Sequence, residues 1–254
     1  MRVSVVGGTG LVGRQVVRAL RERGHDPVVV ARSTGADVTT GAGLADTLAG
    51  SDAVIDVTNT PATDAEAAVA FFGTATRNVL AAERDAGVRH HVVLSIVGVD
   101  KVPGNAHYAG KREQERLALA GPVPATVLRA TQFFEFPDMV VGWTRDGDTA
   151  VLPPLLMQPV AVPDIADVLA EIATNEPRGG TVELAGPQTQ DLVDMARRTL
   201  TARGESLRLV PSWRGPFGTQ MAGEVLLPGP DARIAPTTFE TWLASPAGLG
   251  SDDS

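Results

Sequence analysis

Apolar and polar positions follow two distinct periods along this chain. Short apolar runs recur at Val3-Ser4-Val5-Val6, Pro27-Val28-Val29-Val30-Ala31, Ala53-Val54-Ile55-Asp56-Val57, His91-Val92-Val93-Leu94-Ser95 and Pro124-Ala125-Thr126-Val127-Leu128-Arg129. Near-continuous runs of that length predict strands buried on both faces, as in a parallel sheet. Between them lie helix-like segments at Arg14 to Arg23, around Ala42 to Ala49 (after the short stretch Ala36-Asp37-Val38), Asp64 to Ala86 and Ala106 to Leu119. In the longest, Ala65, Ala68, Val69, Phe72, Val79 and Leu80 share one face at period 3.6, and Gly87 is placed to end it as a C-cap. Alternation of the two patterns predicts an α/β fold, a doubly wound parallel sheet covered by helices.

Beyond Gly147 the texture changes. Prolines gather at Pro153-Pro154 and Pro159, and apolar runs become short and dispersed. Helices are expected at Asp164 to Thr174, Leu192 to Arg203 and Thr237 to Leu243, with Asp164 as a cap and Asp167 as a solvated neighbour. The expected division is a first domain over 1–150 and a small α+β subdomain over 151–254 that closes the substrate side. Pro211 to Pro230 is rich in Gly and Pro and carries Trp213, Phe217 and Met221. It reads equally as a lid over an apolar ligand and as an ordinary surface loop.

Composition narrows the class. The 254 residues are 43% hydrophobic, enough for one large α/β domain or a main domain with an annex. A net charge of −8 argues against a nucleic-acid surface. With no cysteine, disulfides, thiolate metal sites and a cysteine nucleophile are excluded. The first strand starts at residue 3 and no apolar stretch is long enough to span a bilayer, so a cytoplasmic protein without membrane attachment is expected. The four histidines, His25, His90, His91 and His107, lack ligand spacing with carboxylates, and no metal is expected.

The candidate chemistry starts directly after the first strand, at Gly7-Gly8-Thr9-Gly10-Leu11-Val12-Gly13. A strand feeding a glycine turn that opens a helix is the dinucleotide-binding arrangement of Rossmann-like folds. The glycines supply a positive φ, close approach to a pyrophosphate and tight helix packing, while the helix N-terminus offers N–H groups and partial positive charge. The second strand ends at Arg32, nineteen positions beyond Gly13. A carboxylate there suits a ribose 2′-OH, whereas a guanidinium binds a 2′-phosphate through paired hydrogen bonds. Arg32 followed by Ser33 therefore points to NADP(H).

Several motifs together resemble the NmrA-like branch of the atypical short-chain dehydrogenase/reductases. They are Gly7 to Arg14, His91 to Asp100, Lys111-Arg112-Glu113-Gln114-Glu115, Leu128 to Phe136, Gln158 to Ala166, Glu183-Leu184-Ala185-Gly186-Pro187 and Thr238 to Leu243. The resemblance covers nearly the whole chain and implies a cofactor site. In it Gly7, Thr9, Gly10, Leu11, Val12 and Gly13 contact the dinucleotide, and Arg32 and Ser33 hold the 2′-phosphate. Asp37 and Val38 border the adenine, and Thr58, Asn59 and Thr60 line the ribose. Ser95 and Ile96 lie near the nicotinamide, with Thr131 and Phe133 on its carboxamide side. The branch includes NADP(H)-dependent reductases of ketones, enones and quinones, and also cofactor sensors without turnover. A small-molecule substrate is the implied partner.

The catalytic motif is incomplete. Short-chain dehydrogenases carry Tyr-x-x-x-Lys on one helical face. Here Lys111 holds the lysine position, where the resemblance implies that it contacts the nicotinamide ribose and assists the acid; His107 stands four before it, and Tyr108 only three before. A one-residue shift turns a helical side chain by roughly 100°. His107 as the acid, Tyr108 as the acid, and no side-chain acid at all remain three open readings. Ser95 is placed at a strand end but is not read as an oxyanion donor, and His90 and His91, at the opposite strand end, are read as having no chemical role.

Overall fold

Each of the apolar runs becomes a strand, and the segments between them become helices, in the order β1 (Arg2–Val6), α1 (Leu11–Glu22), β2 (Asp26–Val30), α2 (Leu44–Leu48), β3 (Ala53–Asp56), α3 (Ala65–Ala86), β4 (His90–Ile96), α4 (Ala106–Leu119) and β5 (Ala125–Ala130). The computed structural model describes residues 1–214 and 217–250. These five strands lie parallel in the order β2-β1-β3-β4-β5, with Val3 opposite Pro27 and Ala53, and His91 opposite Ala125. The central strands are almost completely buried, β3 throughout and β4 in all but Ile96, which is why their runs lack alternation, whereas the edge strand β2 is buried only at Val30.

The chain then forms α5 (Phe136–Thr144), β6 (Arg145–Asp146), β7 (Thr149–Leu152), β8 (Leu156–Met157), α6 (Val162–Thr174), β9 (Thr181–Ala185), β10 (Gln190–Asp191), α7 (Leu192–Ala202), β11 (Arg208–Pro211), β12 (Arg233–Ile234) and α8 (Phe239–Leu243). Two compact units result, Met1–Ala130 with Val162–Val182 and Thr131–Ala161 with Glu183–Ser254. A single boundary near residue 150 therefore differs from the observed division. The first unit closes at Ala130, the end of its last long strand, and recovers α6, whose apolar face packs on α1 and on β3 and β4. α6 also begins two residues before Asp164, which sits within its first turn instead of capping it. Asp167 is an ion-pair partner of Arg23, at 2.7 Å and largely exposed.

In the first unit α3 and α4 pack against each other. Their approach is close because Gly110 carries no Cβ, which would strike the Phe72 ring and the Ala68 carbonyl. α3 is started by Asp64, whose carboxylate accepts from the Ala67 amide at 2.8 Å, and ended by Gly87 at φ +70°. α4 is started by Asn105, accepting from the Tyr108 amide at 3.0 Å. Strand β1 has β2 on one side and β3 on the other, the point where the sheet order reverses. In open α/β sheets ligands lie beyond the strand carboxyl ends at that point.

The second unit holds a three-stranded sheet in the order β11-β7-β6, the short pair β8 and β10, and the pairing of β12 with the end of β9. Its apolar centre is aromatic: Phe239 stacks on Trp242 at 5.6 Å, and Phe134 tilts against both. Among its described residues the stretch from Pro211 to Pro230 contains a single 3-10 turn, Thr219–Met221, with Met221 buried and Phe217 edge-on to Phe136. Its residues 215 and 216 lie outside the described residues.

Candidate functional site

The glycine turn sits where β1 ends. Gly7 takes φ +81°, and a Cβ there would press on the Val57 carbonyl at 3.0 Å. At Gly13 a Cβ would overlap the Gly7 carbonyl, so the helix can rise from the turn only without one. Gly10 is different. Its φ is −77°, and the one protein atom within 4 Å of an added Cβ is the Gly7 carbonyl oxygen at 3.4 Å, an ordinary contact. Nothing in the chain itself demands glycine at position 10, and its exposed backbone is open to close approach from outside.

The helix that follows reinforces this. α1 has no side-chain N-cap and no acidic residue in its first turn, whereas α3, α4, α7 and α8 are each capped by an Asp, Asn or Thr side chain. α2 and α5 also lack a side-chain cap; what sets α1 apart is that its bare terminus follows the glycine turn, where amides and a positive dipole end suit an anion. Leu11 is 41% exposed while Val12 and Gly13 are buried. Arg14 braces the turn by donating to the Thr9 carbonyl at 2.9 Å. Beside the turn, Thr9, Ala31, Arg32 and Ser33 line a cleft of about 550 Å³, with Arg32 and Ser33 exposed. The geometry fits a dinucleotide phosphate at the α1 terminus and a further anion at Arg32.

Asp37 is committed elsewhere. Its carboxylate accepts from the Thr39 amide (2.7 Å) and hydroxyl (2.6 Å), which with the charge of Arg32 holds its pKa below the ordinary value. The carbonyls of Val38 and Thr39 accept from the Asn78 amide group, fixing this loop against α3. Beyond β3, Asn59 is exposed, its side-chain oxygen accepting from the Thr60 amide at 2.8 Å. Beyond β4, Ile96 is half-buried, and Ser95 is buried with its Oγ lacking a hydrogen-bond partner. A buried hydroxyl left so costs about 1–3 kcal/mol unless an outside group satisfies it. Thr131 and Phe133 belong to the second unit, where the Thr131 hydroxyl donates to the Gln158 carbonyl at 2.7 Å and Phe133 bridges Val160.

Lys111 is deeply placed. It is 5% exposed, and its ammonium donates to the Leu94 carbonyl (2.8 Å), to Gln114 Oε1 (2.8 Å) and, at 3.4 Å, to the Thr58 carbonyl, with the Phe72 ring 4.8 Å away. Burial lowers its pKa to about 8, against the opposing pull of Asp56 and Glu115. His107 lies edge-on to the same Phe72 ring at 5.6 Å. Burial, then the Lys111 charge, lower its pKa to about 4. That environment disfavours the proton which an ordinary imidazole would carry near neutrality. Tyr108 is buried at 6% exposure.

Sequence reasoning gave no role to Gln114, although its spacing of three from Lys111 puts both on one helical face. It also left unread a buried pair: His91 Nδ1 lies 2.7 Å from Glu83 Oε1, both side chains fully buried. Among the described residues no group of three or more His, Asp or Glu could hold a metal, and no helix is long and apolar enough to cross a membrane.

Residues 7–176 match the model of a family described as NAD(P)H-binding. The photosystem II assembly factor Ycf39 of Synechocystis is 32% identical over 117 residues, 41% of this chain and 36% of that protein. The match thus spans about a third of the length of that relative. Among solved structures, a nucleoside-diphosphate-sugar epimerase from Staphylococcus aureus superposes with a TM-score of 0.72 at 15% identity, covering 96% of this chain and 100% of that one. An NADPH-dependent quinone oxidoreductase from Escherichia coli, complexed with NADPH, superposes at 0.66 with 18% identity over 83% and 78% of the two chains. At these identities the likeness is one of fold.

Proposed function

This chain belongs to the NAD(P)H-binding family, and on that premise we propose that it is an NADP(H)-dependent oxidoreductase that reduces a small apolar quinone, enone or ketone. The observation that carries the coenzyme choice is the cleft of Thr9, Ala31, Arg32 and Ser33 beside the uncapped end of α1. Gly7 to Gly13 would hold the pyrophosphate, Arg32 and Ser33 the 2′-phosphate, and Ser95 Oγ a polar group of the coenzyme at the end of β4. Asp37 serves as the turn-former of the adenine-side loop, with Val38 beside it, and Asn59 and Thr60 as the ribose-side surface. The bound coenzyme would supply hydride.

The proton is the harder part. Neither a neutral His107 nor a fully engaged Lys111 is a strong acid toward a substrate, which leaves the Tyr108 phenol or water as the proton source. Quinones and enones give anions stable enough to take their proton from water, so they fit this chain better than simple ketones do. Binding and orientation then contribute most of the rate. The same observation favours a second reading, an NADP(H)-binding redox sensor without turnover. Titration with NADPH and NADH by nicotinamide fluorescence, followed by quinones, enones and ketones in the same cuvette, separates the two. NADPH oxidation with a quinone or enone supports the reductase. Tight NADPH binding with no turnover across the panel supports the sensor, and no binding of either coenzyme defeats both.

A further inference from the structure

All three polar groups of Thr58 are gripped by side chains from the β3 and α4 layer. Its amide donates to Asp56 Oδ1 at 2.8 Å, its hydroxyl accepts from Gln114 Nε2 at 3.3 Å, and its carbonyl accepts from Lys111 at 3.4 Å. The grippers are joined to one another. Gln114 Nε2 also donates to Asp56 Oδ2 at 3.0 Å, and Gln114 Oε1 accepts from Lys111 at 2.8 Å. Asp56 and Gln114 are fully buried, and Thr58 and Lys111 nearly so. A satisfied buried network of this kind fixes one conformation of the backbone it holds.

The backbone held is the one on which the coenzyme turn rests. The Val57 carbonyl and the Thr58 amide nitrogen lie 3.0 and 3.3 Å from where a Gly7 Cβ would be. The positive φ of Gly7 is thus packed directly against the peptide that Asp56, Gln114 and Lys111 immobilise.

We infer that Gln114 and Lys111, with Asp56, act as a clamp on Thr58 that sets the glycine turn for the dinucleotide. In this chain the lysine of the incomplete Tyr-x-x-x-Lys motif is a positioning residue for coenzyme binding, tied back by a glutamine three residues later. The amide of Gln114 suits the place because it can accept from an ammonium and donate to a carboxylate at once. Neither Glu nor Leu can do both at neutral pH.

The inference rests on the coenzyme reading, but one arm of its test does not. Gln114→Met keeps the volume and removes both hydrogen-bonding roles, and Lys111→Met removes the cation. Hydrogen exchange on the coenzyme-free protein is expected to show faster exchange over residues 57–61 in both variants, with strands β1 and β4 still protected. Fluorescence titration is expected to show NADPH and NADH weakened together by about tenfold, the equivalent of one good hydrogen bond, with their ratio unchanged because Arg32 is untouched. Unaltered exchange over 57–61 in folded Gln114→Met protein would overturn the clamp, whatever the coenzyme does. Faster exchange with unaltered affinities would overturn its link to the turn. If Gln114→Met fails to fold, Gln114→Glu replaces it: the same acceleration over 57–61 supports the clamp and its absence overturns it. Wild type binding neither coenzyme would overturn the coenzyme reading instead, leaving the exchange result to decide the clamp.

Discussion

Gly10 and Gly13 look alike in the sequence and are unlike in what requires them. Gly13→Ala drives a methyl into the Gly7 carbonyl, so both stability and coenzyme binding should fall. Gly10→Ala meets only an ordinary 3.4 Å contact. Its melting temperature should move by no more than about 1 kcal/mol corresponds to, while affinity for both coenzymes drops about tenfold or more because the methyl occupies the phosphate's approach. Thermal melts beside fluorescence titrations check this, and equal binding by Gly10→Ala would count against the phosphate placement. Arg32→Ala discriminates differently. Losing a charge-assisted pair costs about 1.5–3 kcal/mol, so NADPH should weaken about 10- to 100-fold with NADH nearly unchanged. A parallel loss of both would remove the case for the 2′-phosphate.

At the scale of elements, α1 differs from α3, α4, α7 and α8 in leaving its amino end without a side-chain cap. A carboxylate in its first turn would complement the dipole, adding about 0.3–1 kcal/mol to a surface helix. Leu11→Glu, at an exposed position, should therefore raise the melting temperature of the free protein and lower the affinity for coenzyme, since the new charge faces the phosphates. Opposite signs in the two measurements are expected; a rise in both would argue that no anion sits there. This element was readable in advance because every cue is local: strand, glycines, then an amphipathic run. The five parallel strands and α4 were readable for the same reason. By contrast α5, from Phe136 to Thr144, was not expected. It spans nine residues, too few for a period to declare itself, though Pro137 in its first turn was a start signal. The setting of Lys111 was hidden more deeply, since Leu94 of β4, the charge of Asp56 in β3 and Thr58 just beyond β3 come from distant parts of the chain and only Gln114 is near in sequence.

Across the whole molecule the two units carry separable reporters. All three tryptophans, Trp143, Trp213 and Trp242, belong to the second unit, and Tyr108, the single tyrosine, to the first. The first unit also buries the Glu83–His91 pair, whose stability contribution can be followed apart from the second. Burial raises the Glu83 pKa above its ordinary 4.5, and the buried carboxylates of Glu83 and Asp56 raise that of His91 above 6.5 despite its own desolvation. Both shifts mean that the folded pair keeps a proton the unfolded chain has released. The Glu83 part of this effect is therefore complete below its ordinary 4.5 and the His91 part below 6.5, and each declines as pH rises through its own higher folded value. Removing one member strands the other, at a cost of about 3–5 kcal/mol, whereas replacing both with apolar residues of like volume is often nearly neutral. Glu83→Leu and His91→Phe should each destabilise the first unit strongly, and together much less than the sum. Urea unfolding followed by far-ultraviolet dichroism, with tryptophan fluorescence as the second unit's control, should show the double variant losing less stability than wild type between pH 6 and pH 9. Strictly additive single effects, or an unchanged pH slope in the double variant, would mean that the pair shares no proton and that Glu83 and His91 are held apart by the surrounding core.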